Sequence, residues 1–344
     1  MTSNLDLNLA KGSAMSDKPK LAMYWAASCG GCEIAVVNLH EKILDLDAAF
    51  DFMFCPCLLD TKKKEIEALA DKSIAITLFN GAIRTAENEE MAHLLRRKSR
   101  LLIAFGSCAA QGCIPGLANL HARGDIMKTV YLDNPTIDNP DGILPVESSE
   151  VPEGRLTLPA FYDRVKTLGQ VTLVDYTIPG CPPESHQIWN VVQSVLSGEP
   201  LPPSGGVIGA AAVPVCEECD RTRDDKRVER FYRSFEIVPE PGKCLLDQGV
   251  ICMGIATRGG CGAPCPQANM PCTGCYGPPA GVADQGAAMI AALGSILDIG
   301  DCKGKSEEEI ALRVEALLDS VPDYAGTFYK YSLPGSIIGG RVKS

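Results

Sequence analysis

Cysteine is the residue type that this sequence holds in unusual number and that could do chemistry. The chain has 16 cysteines among 344 residues. Thiolates bind zinc ions and iron–sulfur clusters, and cysteines also form disulfides. Disulfide frameworks belong mainly to small secreted domains, whereas a chain of this length can bury a core, or two, without them. We therefore expect most of these cysteines to bind metal in a reducing compartment.

Four cysteines of the N-terminal half each come after a predicted strand. Cys29 and Cys32 lie in ASCGGCE, Cys108 in FGSCAA and Cys181 in IPGCPPE. The apolar runs before them are typical of buried parallel strands. Because the carboxyl ends of parallel strands meet at one edge of a sheet, we expect the four thiolates to converge there. The neighbouring glycines let the backbone approach closely and donate N–H groups to sulfur.

Helices are predicted to begin beside these cysteines, at Glu33, Ala109 and Glu184. The positive end of a helix dipole lowers the pKa of a thiol and stabilises an anionic cluster. The alternatives are buried apolar cysteines at strand ends and, for the C-x-x-C pair, a redox dithiol or half of a zinc site. Four cysteines at one sheet edge favour an iron–sulfur cluster over these.

Eight further cysteines lie between residues 216 and 275, in a segment rich in Gly and Pro. Few of its side chains are apolar, so we expect the bound metal to organise it. Eight ligands divide into two sites of four, and spacing alone leaves zinc ribbons open. A sheet edge is a poor zinc site, and three clusters together make a path for electrons, which favours iron–sulfur clusters. The spacing is Cys216-x2-Cys219-x24-Cys244-x7-Cys252 and then Cys261-x3-Cys265-x6-Cys272-x2-Cys275.

Short apolar runs predict the strands that position the first four cysteines. Amphipathic stretches with charged outer faces lie between the runs, and this alternation predicts an open, doubly wound parallel α/β sheet. Residues 133–160 are predicted to be a surface insertion, and the composition changes near residues 201–206. The predicted strands lie within 19–28, 50–57, 73–81, 100–108 and 170–180, and predicted helices lie within 33–46, 61–70, 87–100, 281–297 and 306–320.

Composition and charge limit the class of protein further. Hydrophobic residues make up 46% of the chain and charged residues 22%, which indicates a globular protein. The net charge of -11 disfavours nucleic acid and anionic membranes as partners. Residues 1–20 contain neither an apolar core region nor a twin-arginine pair and are predicted to be a flexible tail. We find no apolar run long enough to insert into a membrane and expect a cytoplasmic protein.

Five cysteine motifs together make the chain similar to a known family. It resembles the small subunit of [NiFe] hydrogenases, and more closely that of the cytoplasmic F420-non-reducing, methyl-viologen-reducing type. The resemblance begins near Leu21 and covers the rest of the chain. A quinone-reductase subunit of respiratory complex I shares part of the pattern but lacks the eight-cysteine region. The motifs are S-C-G-G-C-E (28–33), A-F-G-S-C-A-A (104–110), P-G-C-P-P (179–183), V-C-E-E-C-D (215–220) and C-G-A-P-C-P…P-C-T-G-C-Y-G (261–277).

The resemblance implies a flavodoxin-like domain at 21–204 and a loop-rich cluster domain at 205–344, with three [4Fe-4S] clusters. Periplasmic relatives usually have histidine where Cys216 stands and often proline where Cys265 stands. All-cysteine ligation implies no [3Fe-4S] cluster and low potentials. The implied ligands are Cys29, Cys32, Cys108 and Cys181 for the proximal cluster, Cys261, Cys265, Cys272 and Cys275 for the medial, and Cys216, Cys219, Cys244 and Cys252 for the distal cluster.

The function implied by the resemblance is electron transfer without a catalytic residue in this chain. The partners would be a hydrogenase large subunit, which holds the [NiFe] site, and a downstream iron–sulfur or flavin acceptor linked to heterodisulfide reductase. Glu33 would stabilise a helix N-terminus, with proton movement at the large-subunit interface as the alternative. Alternative functions are the corresponding subunit of an F420-reducing hydrogenase or sulfhydrogenase and, in another class, a zinc-stabilised binding module.

The other cysteines and the histidines are predicted to lie outside these sites. Cys55 and Cys57 are expected to face opposite sides of a strand, which would prevent them from sharing a metal, and to be buried thiols. Some oxygen-tolerant relatives carry an extra cysteine where Cys113 stands, together with a second one at the position that Gly31 occupies in this chain. Because only one of the two is present here, we expect no unusual proximal cluster. Cys302 is expected to be a free thiol in an acidic loop. Structural roles are expected for His40, His93, His121 and His186.

Overall fold

The computed structural model describes residues 18–224, 227–300, 304–321 and 323–339. Residues 1–17 of the predicted tail lie outside this range, and so does Cys302. In the described part, none of the helices is both long and apolar enough to cross a membrane.

A parallel sheet of six strands forms the centre of the N-terminal half. The strands of the described chain are β1 (Lys20–Trp25), β2 (Asp51–Phe54), β3 (Ile74–Asn80), β4 (Ile83–Thr85), β5 (Ser99–Phe105), β6 (Ser148–Val151), β7 (Gly154–Thr157), β8 (Phe161–Lys166), β9 (Tyr176–Ile178) and β10 (Gly206–Val207). The order in the six-stranded sheet is β2-β1-β3-β5-β9-β10, so the second strand lies outside the first and the others follow in sequence, as in flavodoxin. The predicted doubly wound α/β class is confirmed.

Helices cover both faces of this sheet, and side chains of β1 alternate between the two cores. Leu21 and Met23 pack with one set of helices, whereas Ala22 and Tyr24 pack with the other. The α-helices are α1 (Gly31–Val37), α2 (Ile43–Ala49), α3 (Lys63–Ala68), α4 (Ala86–Lys98), α5 (Ser107–Gln111), α6 (Arg123–Lys128), α7 (Ser185–Ser197), α8 (Pro264–Gln267), α9 (Gln285–Ile296), α10 (Glu307–Asp319) and α11 (Tyr324–Phe328).

Different helices cover the two faces of the sheet. The first core contains buried residues of α1, α2 and α7, and the second contains residues of α3, α4 and α5.

The predicted helix within 33–46 is interrupted, because α1 ends at Val37 and His40 has a φ of 55° in the turn before α2. The left-handed region is unfavourable within a helix, so the chain turns there.

The region predicted to be a surface insertion contains a hairpin that the sequence pattern did not indicate. Strands β6 and β7 pair antiparallel in it, and β8 then returns to pair with β4 in a second small sheet. Most side chains of the hairpin are exposed. The hairpin therefore does not join the central sheet.

The cysteine-rich segment shares a core with helices that follow it in the chain. Phe231 and Met253 of the segment pack with Met289 of α9 and Phe328 of α11. Between residues 216 and 275 the described chain contains only short helical turns and isolated bridges. The two predicted closing helices are present as α9 and α10. The cysteine-rich segment thus depends on these later helices for much of its apolar packing.

Candidate metal centres

The structure brings the first four cysteines together at the carboxyl edge of the sheet. Cys29 and Cys32 follow β1, Cys108 lies in α5 directly after β5, and Cys181 follows β9. Burial raises the pKa of the Cys32 thiol most, and the charges of Cys108, Glu33, Cys181 and Cys29 raise it further. These effects keep the thiol protonated, so a metal that bound here as a thiolate complex would release protons.

Two glycines allow this convergence. At Gly106, φ is +82° and a Cβ atom would lie 2.4 Å from Cys32 Sγ, so any side chain would displace the sulfur. At Gly180, φ is +134° and a Cβ atom would lie 2.5 Å from the Pro183 backbone. The Ser107 N–H donates to the Gly180 carbonyl at 2.8 Å, which joins the loops of Cys108 and Cys181.

A fifth cysteine lies beside this group. Cys113 is fully buried, and its thiol contacts Cys181 with a distance of 3.7 Å between the Sγ atoms. Hydrogen bonding from Cys113 lowers the pKa of the Cys181 thiol to about 7, although burial opposes this shift. The close spacing of Cys113 to Cys108 is the one sequence signal for this position. The thiol is placed to donate to a sulfur atom of the group.

A buried polar pair that includes Glu33 supports the same edge. Glu33 lies in the first turn of α1, and its two carboxylate oxygens each accept from Asn80 Nδ2 at 2.8 Å. Asn80 Oδ1 accepts from the Ser28 hydroxyl at 3.2 Å. Asn80 was not identified from sequence, although a polar residue that ends an apolar strand is a signal for it. The pair fixes α1 against the end of β3.

The four cysteines between 216 and 252 form a second convergence. Burial raises the pKa of Cys216 to about 12, and the charge of Cys252 is the next cause. Cys244 and Cys219 also raise it, whereas Arg223 opposes them. The Arg223 side chain donates to the Cys216 carbonyl at 2.7 Å.

The cysteines between 261 and 275 form the third. Burial raises the pKa of Cys275 to about 12, followed by the charges of Cys261, Cys181 and Cys265. Burial also raises the pKa of Cys272, and Cys252 and Cys275 both contribute. Each predicted ligand therefore lies near other members of its own predicted set.

Two cysteine pairs connect the three groups in series. The charge of Cys181 in the sheet-edge group raises the pKa of Cys275 in the last group. The charge of Cys252 in the remaining group raises the pKa of Cys272, and the Cys272 N–H donates to Cys252 Sγ at 3.3 Å. The group with the highest sequence numbers therefore lies between the other two.

Hydrogen bonds hold the two halves together near this junction. The Ser107 hydroxyl donates to the Cys275 carbonyl, and the Tyr276 hydroxyl donates to Gln187 Oε1 at 2.8 Å. His186 Nε2 lies 3.2 Å from the Gly260 carbonyl oxygen. This contact agrees with the structural role predicted for that histidine.

In the described part of the chain, no group of three or more His, Cys, Asp or Glu side chains is arranged to hold a single metal ion.

The prediction that Cys55 and Cys57 face opposite sides of a strand is wrong, and the prediction that both thiols are buried holds only for Cys55. Strand β2 ends at Phe54, so both cysteines lie in the following turn, where strand alternation does not apply. Their Sγ atoms are 3.5 Å apart. None of the fifteen described cysteines forms a disulfide.

Comparison with known proteins gives consistent matches. The chain matches the family described as "NADH ubiquinone oxidoreductase, 20 Kd subunit" over residues 29–195. The iron-sulfur subunit of the F420-non-reducing hydrogenase of Archaeoglobus profundus is 39% identical over 94% of this chain and 98% of its own length. A subunit of the F420-non-reducing hydrogenase of Methanothermobacter marburgensis is 37% identical over 96% of this chain and 99% of its own. The [NiFeSe] hydrogenase from Desulfovibrio vulgaris Hildenborough, in the oxidized state, shares the fold with a TM-score of 0.50 and 16% identity, covering 78% of this chain and 96% of that chain.

Proposed function

Since this chain belongs to the family of F420-non-reducing hydrogenase iron-sulfur subunits, and is thus the small subunit of a [NiFe] hydrogenase, we propose that it conducts electrons through three [4Fe-4S] clusters. The observation that carries the proposal is the arrangement of twelve cysteines in three groups that contact one another in series. The chain itself supplies no catalytic residue in this proposal. The hydrogen chemistry takes place in the large subunit.

The proposed ligands follow the three groups. The middle position in the series corresponds to the medial cluster, because Cys275 contacts the sheet-edge group and Cys272 contacts Cys252. We propose that Cys29, Cys32, Cys108 and Cys181 bind the proximal cluster, that Cys261, Cys265, Cys272 and Cys275 bind the medial cluster, and that Cys216, Cys219, Cys244 and Cys252 bind the distal cluster.

When bound, each cluster accepts and releases one electron at a time. The protein contributes ligands, burial and hydrogen bonds to sulfur, which together set cluster potentials. The Gly31 N–H lies 3.4 Å from Cys29 Sγ, and the Cys272 N–H donates to Cys252 Sγ. Such donors would stabilise the more negative, reduced state of a cluster bound by these sulfur atoms. Burial of Cys32 and Cys108 keeps water from that side of the proximal site.

The surface beside the proximal site fits the proposed large-subunit interface. Trp25, Ile34 and Val37 are 41%, 58% and 46% exposed, which is high for side chains of this size and apolarity. A Cβ atom at Gly30 would lie 3.1 Å from the Trp25 ring, so this ring packs on the loop that carries Cys29. We propose that the large subunit covers this surface, which we call the α1 surface. Covering it would remove Cys29 from water.

The distal end is the proposed exit to a second partner. An iron–sulfur or flavin acceptor subunit, linked to heterodisulfide reductase in the cytoplasm, would meet the chain there. This part of the proposal rests on the resemblance of the cysteine motifs to cytoplasmic hydrogenases. Both relatives are named as subunits of F420-non-reducing hydrogenases, which favours this type over an F420-reducing hydrogenase or a sulfhydrogenase.

Metal analysis of anaerobically purified protein tests the proposal. Three four-iron clusters predict about twelve iron atoms and about twelve acid-labile sulfides per chain. EPR spectroscopy of the reduced protein should show only four-iron signals. Zinc without sulfide would support a zinc-stabilised binding module instead, and about eight irons would mean that one group is not a cluster site.

A further inference from the structure

A pair of cysteines outside the three groups lies at the same edge of the sheet. Cys55 and Cys57 flank Pro56 in the turn that follows β2, the edge strand beside β1. The N–H groups of Leu58 and Leu59 both donate to the Cys55 carbonyl, at 2.9 and 2.8 Å, so hydrogen bonds define this turn. It holds the two Sγ atoms 3.5 Å apart.

The two thiols have different surroundings. The Cys55 side chain is 1% exposed and packs in the same core as Cys32, whereas Cys57 is exposed to solvent. Burial raises the pKa of Cys55 to about 12, and its hydrogen bond with Cys57 adds to the shift. An accessible thiol next to a buried one is the arrangement of an attacking and a resolving cysteine. Neither residue belongs to a proposed cluster site.

We propose that Cys55 and Cys57 are a redox-active dithiol that exchanges with disulfides of low molecular mass. The Cys57 thiolate attacks one sulfur of the small disulfide, whose S–S bond breaks and releases a first thiol. Cys55 then loses its proton and attacks Cys57 Sγ, which releases a second thiol and leaves a Cys55–Cys57 disulfide. The protein dithiol loses two electrons and two protons, and the small disulfide gains both.

The geometry makes this bond both accessible and reversible. The sulfur atoms need to approach from 3.5 Å to the bond length of about 2.05 Å, a movement within reach of side-chain rotation. Only Pro56 separates the two cysteines, so the closed ring is small. A small ring strains the disulfide that closes it, and a strained disulfide is easier to reduce. We therefore expect an exchangeable bond and not a structural one.

The test uses the anaerobically purified hydrogenase complex and oxidised glutathione as the probe. After treatment, free thiols are alkylated, and the peptide that contains residues 51–62 is measured by mass spectrometry. We expect the wild-type peptide to lack both alkyl groups and glutathione, with the mass of an internal disulfide, and dithiothreitol to restore both thiols. Cys55→Ser should keep glutathione on Cys57. Cys57→Ser should show neither a disulfide nor glutathione on Cys55.

Three results would overturn the proposal. Wild-type protein could keep both thiols alkylatable, or it could retain glutathione on Cys57 without closing the ring. Loss of iron in Cys57→Ser would indicate that the pair binds a cluster. Cys55→Ala provides a second variant in case serine disturbs the core, and Cys302→Ser is the matched control, in which the peptide should behave as in wild type. Iron and sulfide contents of the same wild-type samples test the cluster proposal separately.

Discussion

At the proposed proximal site, a thiol that is not a predicted ligand contacts one that is. Cys113 donates to Cys181 Sγ at 3.7 Å. Hydrogen bonds to ligand sulfur favour the reduced cluster, so Cys113→Ala should lower the proximal potential. A contribution of about 1 kcal/mol corresponds to roughly 40 mV for one electron. EPR-monitored redox titration measures this shift, and Cys113→Ser, which keeps a donor, should shift less. An unchanged potential in Cys113→Ala would contradict the role of the thiol as a donor.

Asn80 supports the same site from the end of β3. Asn80→Leu removes the amide that donates to both oxygens of the Glu33 carboxylate, which is 7% exposed. Leaving a buried carboxylate unpaired costs about 2 kcal/mol, so the unfolding temperature should fall. Thr77, on the same strand as Asn80, provides the matched control. Thr77→Val removes a neutral hydrogen bond with Ser99 and should cost about 1 kcal/mol. Equal losses in the two variants, measured by anaerobic thermal unfolding, would show that the carboxylate does not need Asn80.

At the scale of elements, the sequence predicted the strands better than the turns beside them. Each of the five predicted runs overlaps a strand of the central sheet, since buried parallel strands are continuously apolar, whereas the two-residue edge strand β10 was not predicted. The strand predicted within 50–57 was too long, because cysteines are apolar enough to continue the pattern. Pro56 lacks an N–H group for the ladder and was the available signal that the strand had ended. The interruption at His40 has no comparable signal, because the stretch keeps its helical spacing.

Helix α8 allows a test of the proposed medial ligands that spares the backbone. Cys265 is the second residue of α8, where N–H groups have no partner within the helix, so proline is tolerated. Cys265→Pro should therefore remove a thiolate without unfolding the turn. We expect a loss of about one iron per chain and a [3Fe-4S] EPR signal. Cys265→Ala should behave alike, and Gln267→Ala should keep the wild-type iron content. Unchanged iron in both Cys265 variants would remove this residue from the medial site.

At the scale of the whole molecule, the sequence indicated three groups of cysteines but not how they connect. Sheet topology made the convergence of the first group predictable, because all its members follow strands that end at one edge. Contacts such as Ser107 with Cys275 and Tyr276 with Gln187 join residues far apart in sequence. No periodicity or spacing encodes such contacts, so the order of the groups rested on resemblance alone. The proximity of Cys181 to Cys275 now supports that order.

The α1 surface gives the prediction that concerns the complex. Ile34 is 58% exposed, so Ile34→Asp should leave the free chain folded. An aspartate buried against an apolar partner loses its hydration, so binding of the large subunit should weaken by at least about tenfold, or about 1.4 kcal/mol. Affinity purification of the tagged chain, followed by quantification of the co-purified large subunit and of iron, measures both effects. Leu312→Asp on α10, where Leu312 is 60% exposed, is the matched control and should co-purify normally. Equal recovery of the large subunit with both variants, each with full iron content, would place the interface elsewhere.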